Sequence, residues 1–282
     1  MILIILSFIK KKFILMFTNK IKKIFFYYQY NFFRKIRILF KIDQKTLING
    51  QELVLPPGHL LTLYNYIYPK YDKFISELVV NINENESVID IGANVGDTLV
   101  RLIDSNSKPN YYSIEADEFF FKYLKKNKEK IKLNKPTKIK LIKELVGINL
   151  TGHLSNTSHG TKSLIESSDG LKTKKLDEII LEHNIKNITL IKVDVDGYDH
   201  NVLLSGINQI KKYKPVLFFE YMSLNELGYI DLIKKLNDIG YKNWTALNNY
   251  GAIIFENKSY TDILNLIKLE TKKKIVIDIY CK

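Results

Sequence analysis

The sequence predicts an α/β domain: a doubly wound, mainly parallel seven-stranded sheet with an antiparallel hairpin at one edge. Three observations predict it. From Ser87 onward, short apolar runs alternate with longer helical segments. The first run, Val88-Ile89-Asp90-Ile91, enters a tight turn bounded by Gly92 and Gly96 and leads directly into a helix. Towards the end, residues 241–246 and 252–255 flank Asn248-Asn249-Tyr250-Gly251, a hairpin pattern with a glycine-containing turn.

The elements follow in order. Leu53-Val54-Leu55 is extended and stops at Pro56-Pro57-Gly58. Residues 59–79 carry helical spacing interrupted by Pro69, which predicts two short helices. Residues 81–86 form a polar loop. Strand 88–91 precedes a helix over 97–104, and strand 111–114 ends at Glu115 before a helix over 119–132. A third strand spans 138–146. Residues 148–168 are irregular, rich in Thr, Ser, Asn and Gly, and carry a small hairpin. Helix 176–184, strand 189–193, helix 198–211, strand 216–219 ending at Glu220, and helix 224–239 complete the alternation. A last helix over 261–269 and a last strand over 275–280 follow the hairpin. In such a sheet, ligands bind at the carboxyl ends of the strands.

Charge divides the chain in two. Residues 1–50 hold eleven Lys/Arg and one acid, Asp43, whereas the remainder is close to neutral. This sets a basic, aromatic-rich segment, 1–50, apart from a domain over 51–282. The opening apolar run is broken by Lys10, Lys11 and Lys12, too short to span a bilayer. Its charges follow the apolar run, unlike a signal peptide, and Met16 offers an alternative start. Residues 20–40 mix Lys/Arg with Phe25, Phe26, Tyr27, Tyr28, Phe32 and Phe33. That composition suits a helix at a membrane surface; the alternative is a helix packed on the domain. The only cysteine, Cys281, excludes a disulfide framework and points to a reducing, cytoplasmic setting, peripheral to the inner membrane face if the segment docks there.

The sharpest motif is Val88 to Thr98. Asp90 ends the strand, Gly92 permits close backbone approach, and Gly96 lets the helix pack on the strand. Asn94, Asp97 and Thr98 complete the turn and the helix start. The spacing is not that of a dinucleotide site, and an acid here suits a cationic, amine-bearing ligand such as S-adenosylmethionine. Glu115 closes the next strand, and its two oxygens suit the hydroxyls of a ribose.

Together with a second block, this motif resembles the FkbM family of methyltransferases. The second block is Leu190-Ile191-Lys192-Val193-Asp194-Val195-Asp196-Gly197-Tyr198-Asp199, followed by Gly206 and Lys214-Pro215 leading to Glu220. Asp196 and Asp199 stand where the family usually carries Glu. Leu55-Pro56-Pro57-Gly58-His59 and Tyr71-Asp72-Lys73-Phe74-Ile75 are also similar to family segments. The resemblance spans residues 52–256. It implies a class I, Rossmann-like methyltransferase that uses S-adenosylmethionine and acts on oxygen, often on sugars of surface polysaccharide, lipopolysaccharide or related glycans.

A sugar hydroxyl is a poor nucleophile while it keeps its proton, so a base or a cation must assist. Asp194, Asp196, Asp199, His200 and Glu220 gather at two strand ends and are the candidate catalytic groups. A second reading has Asp194, Asp196 and Glu220 hold Mg²⁺ through oxygen. His153 and His159 read as loop residues, and His59 and His183 as structural. Nucleic acid is disfavoured: Asp194-Val195-Asp196-Gly197 lacks the proline-aromatic signature of base amino-methylation, and Cys281 is misplaced as a nucleophile. The alternatives are an RNA-ribose or small-molecule O-methyltransferase, or a non-catalytic adenosyl-binding module.

Overall fold

The apolar runs at 53–55 and from Val88 onward give rise to strands in the computed structural model, which describes residues 2–79, 82–103, 109–131, 138–157, 161–273 and 276–282. For residues 2–18, 272 and 273 it describes the backbone course alone. The chain opens with α1 (Ile2–Phe40), followed by β1 (Gln44–Ile48), β2 (Gln51–Leu55), α2 (Leu61–Ile67) and α3 (Lys73–Glu77). Asn49 and Gly50, both at positive φ, turn β1 back on β2. The hairpin therefore bridges residue 50, where composition alone separates segment from domain.

The alternating part comprises β3 (Ser87–Ile91), α4 (Asp97–Ile103), β4 (Asn110–Ile114), α5 (Glu118–Lys130) and β5 (Ile139–Ile142). Then come β6 (Thr151–Asn156), β7 (Lys162–Glu166), β8 (Leu171–Lys172), α6 (Leu176–Glu182) and β9 (Ile188–Val193). The chain finishes with α7 (Asp199–Ser205), α8 (Ile207–Tyr213), β10 (Val216–Tyr221), α9 (Glu226–Ile239), β11 (Trp244–Asn248), β12 (Ile253–Lys258), α10 (Tyr260–Lys273) and β13 (Ile277–Cys281). Among the described residues the main sheet has eight strands in the order β12-β11-β13-β10-β9-β3-β4-β5. Strands β10, β9, β3, β4 and β5 run parallel. The count exceeds the expected seven because the hairpin adds both its strands outside β13.

Strand alternation sorts side chains to two faces. Ile89, Ile91, Ile191, Val193, Leu217, Phe219, Ile277 and Ile279 face one layer, where α6 to α10 pack. Val88, Leu190 and Phe218 face the other, against α3, α4 and α5. Asp90, Lys192, Glu220 and Asp278 share the parity of that second face.

One departure from the sequence reading has a local cause. Residues 198–211 form two helices rather than one, broken at Gly206. A Cβ there would stand 2.6 Å from the Leu176 side chain, so close approach of α6 fixes glycine at a poor helix former. The small hairpin expected within 148–168 is β6 and β7, which join β8 in an antiparallel sheet of order β7-β6-β8.

The β1–β2 hairpin is tied to the domain by Asn127 of α5, which is fully buried. Its Nδ2 donates to the carbonyls of Val54 (2.9 Å) and Val95 (2.8 Å), while its Oδ1 accepts from the Val54 amide (2.8 Å). Asn127→Ala strands three buried backbone groups and is expected to cost about 2–4 kcal/mol. Urea denaturation checks this, and a loss no larger than that of an ordinary surface substitution would contradict the assignment.

Candidate active site

The site begins with the turn between β3 and α4. Gly92 has φ +79°, and a Cβ on it would lie 1.9 Å from the Asp194 carbonyl oxygen. Only glycine lets the end of β9 come this close. The amides of Gly92 and Ala93 both donate to the Ile114 carbonyl at 3.0 Å, which locks the turn to the end of β4.

Glu115 follows that strand end. Its Oε2 accepts from the Asn94 amide (2.7 Å) and its Oε1 from the Asp117 amide (2.8 Å). Each oxygen keeps a second lone pair for a ligand hydroxyl. Burial raises the carboxyl to about 7, although the two amides pull it down. Asp117 caps α5 by accepting from the amides of Phe119 and Phe120, both at 3.0 Å. Its other oxygen accepts from Lys162 Nζ of β7 at 2.6 Å.

Lys192 lies at the centre, with its side chain 3% exposed. In the parallel β3–β9 pair it stands beside Asp90. Its Nζ is 3.2 Å from Asp90 Oδ1 and 3.3 Å from Asp194 Oδ2. Burial alone would lower its pKa, but Asp90, Asp194, Asp97 and Asp72 hold it above the ordinary lysine value. Asp90 is raised by burial despite Lys192, whose ammonium meets Oδ1, while Oδ2 has no hydrogen-bond donor.

These elements line a cavity of about 310 Å³, a size typical of small-molecule sites. Gly92, Asn94, Asp97, Thr98 and Glu115 form one side of it. Asp90 lies behind Lys192 rather than on the wall, and Gly96 packs against Leu124 of α5. Leu154, Thr161, Lys162 and Leu164 of the β6–β7 region cover the top.

Further lining residues are acidic. Asp194, Asp196 and Glu220 line the cavity as expected. Burial, then Asp194, raises Asp196 to about 6. Burial, then Asp194 and Asp199, holds Glu220 well above the ordinary glutamate value. Two further carboxyls join them. Asp278 of β13 stands directly opposite Glu220 in the antiparallel register, and burial and Asp72 raise it strongly. Asp72 precedes α3 and is raised by burial to about 7, with Arg101 opposing. His59 also lines the wall. Its Nδ1 accepts from the Leu61 amide, which leaves Nε2 as the donor to Asn94 Oδ1 at 3.3 Å.

Asp199 and His200 correct the expected catalytic set. Asp199 is fully buried behind the wall, its oxygens accepting from the amides of Glu220 (3.0 Å) and Val195 (3.3 Å). It clamps the end of β10 to the loop after β9. His200 packs on Tyr229, with ring centroids 4.8 Å apart, and its Nε2 meets Asn225 Nδ2 at 3.0 Å. Neither faces the cavity, because the first turn of α7 directs both inward. No three described His, Cys, Asp or Glu side chains are placed to share a metal ion, Asp194, Asp196 and Glu220 included. The Lys192 ammonium lies among these acids. His153 is exposed beside Asp169 at 3.3 Å, and His159 lies outside the described residues.

A family model described as Methyltransferase FkbM domain matches residues 90–242. No curated protein matches the sequence. Among solved structures, methyltransferase FkbM from Methylobacillus flagellatus KT is similar at 15% identity and a TM-score of 0.42, covering 78% of this chain and 50% of that one. The chain thus spans half the length of that protein. Precorrin-6y C5,15-methyltransferase from Geobacter metallireducens GS-15 is similar at 10% identity and a TM-score of 0.42, with 74% and 86% covered. Fibrillarin from Aeropyrum pernix, in complex with natively bound S-adenosyl-L-methionine, is similar at 12% identity and a TM-score of 0.42, with 86% and 83% covered.

The raised carboxyls make stability depend on pH. Asp72, Glu115 and Asp199 titrate at about 7 when folded, against about 4 in an unfolded chain. Their contribution is complete below the unfolded value and is lost as pH rises through 7. His59 and His200, lowered by burial, act oppositely once the unfolded chain protonates below about 6.5. The Tm of the ligand-free protein should therefore rise as pH is lowered from about 8 to about 6.5, and Glu115→Gln should flatten the slope. A Tm climbing with pH across this window would contradict the burial of these groups.

Proposed function

The chain belongs to the FkbM methyltransferase family, and from that premise we propose that it moves the methyl group of S-adenosylmethionine to an oxygen acceptor, a sugar hydroxyl of a surface polysaccharide, lipopolysaccharide or related glycan. The observation that carries the reading is Glu115, fixed by two backbone amides at the cavity wall with lone pairs free for a ribose diol. When bound, S-adenosylmethionine supplies an electrophilic methyl group on a sulfonium. Glu115 would hold its ribose, and the acidic wall would favour its positive charge.

The acceptor side suits a neutral polyol. Carboxylates are strong acceptors for hydroxyl protons, and Tyr250, stacked on Tyr68 at 3.9 Å, offers an aromatic surface at the rim. Glu220 would take the proton of the attacking hydroxyl, since burial and Asp194 make it a stronger base than a solvated glutamate. Asp278 beside it would orient the same hydroxyl. The density of carboxyls repels phosphate, which argues against a nucleic-acid acceptor.

Isothermal titration with S-adenosylhomocysteine tests the cofactor half. Binding should weaken at least about tenfold in Glu115→Ala, as expected for loss of a charge-assisted pair of hydrogen bonds. Equal affinity in wild type and variant would remove the assignment. An acceptor screen with nucleotide sugars and lipid-linked glycans tests the other half. There, Glu220→Gln should lower kcat about a hundredfold with homocysteine-product affinity unchanged, and full turnover would move the base elsewhere.

Charge gives a separate check. S-adenosylmethionine carries one more positive charge than S-adenosylhomocysteine. As pH falls from about 8 to about 6, Asp72, Glu115 and Asp196 take up protons. Affinity for the methyl donor should therefore fall more steeply than affinity for the product, and parallel curves would contradict the electrostatic account.

A further inference from the structure

Helix α1 carries two seams on opposite sides. The inner seam grips the domain at i, i+3, i+4 and i+7 spacing. Lys23 Nζ donates to the Ile67 carbonyl at 2.6 Å, Phe26 stacks on Tyr66 at 3.9 Å, the Tyr30 hydroxyl donates to the His59 carbonyl, and Arg34 Nε donates to the Gly58 carbonyl at 2.7 Å. The outer seam repeats the same spacing half a turn away, through Ile21, Ile24, Phe25, Tyr28, Phe32 and Leu39. All six are exposed, Phe25 and Tyr28 at 69% each and Leu39 at 74%. Domain packing thus resolves what composition leaves mixed. Some aromatics of residues 20–40 are consumed by the fold, while Phe25, Tyr28 and Phe32 join Ile21, Ile24 and Leu39 in a stripe about 27 Å long at ~1.5 Å per residue.

We infer that this outer seam lies in the interface of an anionic lipid bilayer. An exposed apolar stripe of this length marks an interaction surface. Charge selects the occupant. Lys20 and Lys22 border the stripe on its two sides, and Lys35 stands within it, where a long stem can lift its ammonium to the headgroups. The first fifty residues hold eleven basic groups and one acid. A second copy docking on this helix would oppose two such segments, whereas anionic headgroups neutralise them. Among the described residues no helix is long and apolar enough to cross a membrane, so the seam lies along the surface. The inner seam holds Gly58 and His59, and His59 lines the cavity. The cavity wall therefore stands about one helix diameter, ~10 Å, from the lipid.

Sedimentation of the full chain with vesicles tests this, comparing pure phosphatidylcholine with phosphatidylcholine containing about 30% phosphatidylglycerol. Partition should favour the anionic vesicles, weaken with salt, and fall at least about tenfold in the Phe25→Ser, Phe32→Ser, Leu39→Ser variant. Should that variant fail to fold, Lys20→Glu with Lys22→Glu must lower the same partition. No preference for anionic vesicles, or a partition that neither variant changes, overturns the inference. Concentration-dependent self-association that the serine variant abolishes, without vesicle binding, assigns the seam to a second copy and overturns it equally.

Discussion

A buried lysine between two aspartates sets the terms for the rest of the site. An ammonium at the position of Lys192 without partners would cost several kcal/mol, and Asp90 and Asp194 offset that cost. The pairing depends on register. Asp90 and Lys192 are neighbours because β3 and β9 align Asp90 with Lys192. A slip of one residue would turn Lys192 to the opposite face, among Ile191 and Val193. The ion pair thus specifies strand alignment as well as charge. The same alignment brings the Asp194 carbonyl against Gly92, so the turn after β3 and the end of β9 form one rigid unit.

Around the Lys192 ammonium the cavity gathers more carboxyls than it can neutralise. Asp72, Asp194, Asp196, Glu220 and Asp278 all face the same space, and those with resolved shifts are held above their usual values. Partial protonation relieves the repulsion, and a cationic ligand would relieve it further. The chain's net charge of +13 says nothing of this, because its basic surplus sits in the first fifty residues. Charge is partitioned: a positive helix outside, a negative chamber within.

The turn after β3 and Glu115, which the proposed function gives to the cofactor, were legible in the sequence because the parts are close together. Asp90, Gly92, Asn94 and Glu115 span one strand-turn-helix-strand unit, and the strand ends that place them follow from alternation. The acidic wall, which the proposed function gives to the acceptor, depends on contacts between distant segments. Asp278 comes into place only because β13 inserts antiparallel beside β10, a pairing that no local pattern announces. Asp72 depends on the positive φ that starts α3. Lys192 lay in the quoted motif, but its role required knowing that Asp90 is its lateral neighbour. Asp199 and His200 show the converse failure. Proximity to a strand end in sequence cannot tell a carboxylate aimed at the cavity from one folded back on backbone amides. The Asn49-Gly50 turn carried a recognisable hairpin signal, obscured by the change in composition at the same point.

The strand that completes the acceptor wall is also the last strand of the sequence, and it lies inside the sheet rather than at its edge. During synthesis β3, β4 and the turn between β3 and α4 emerge early, and the half that would receive the methyl donor can assemble. Until residues 277–281 leave the ribosome, β10 and β11 lack the partner that separates them, and the chamber is open along one side. A nascent chain can therefore have a place for the donor while it has none for the substrate.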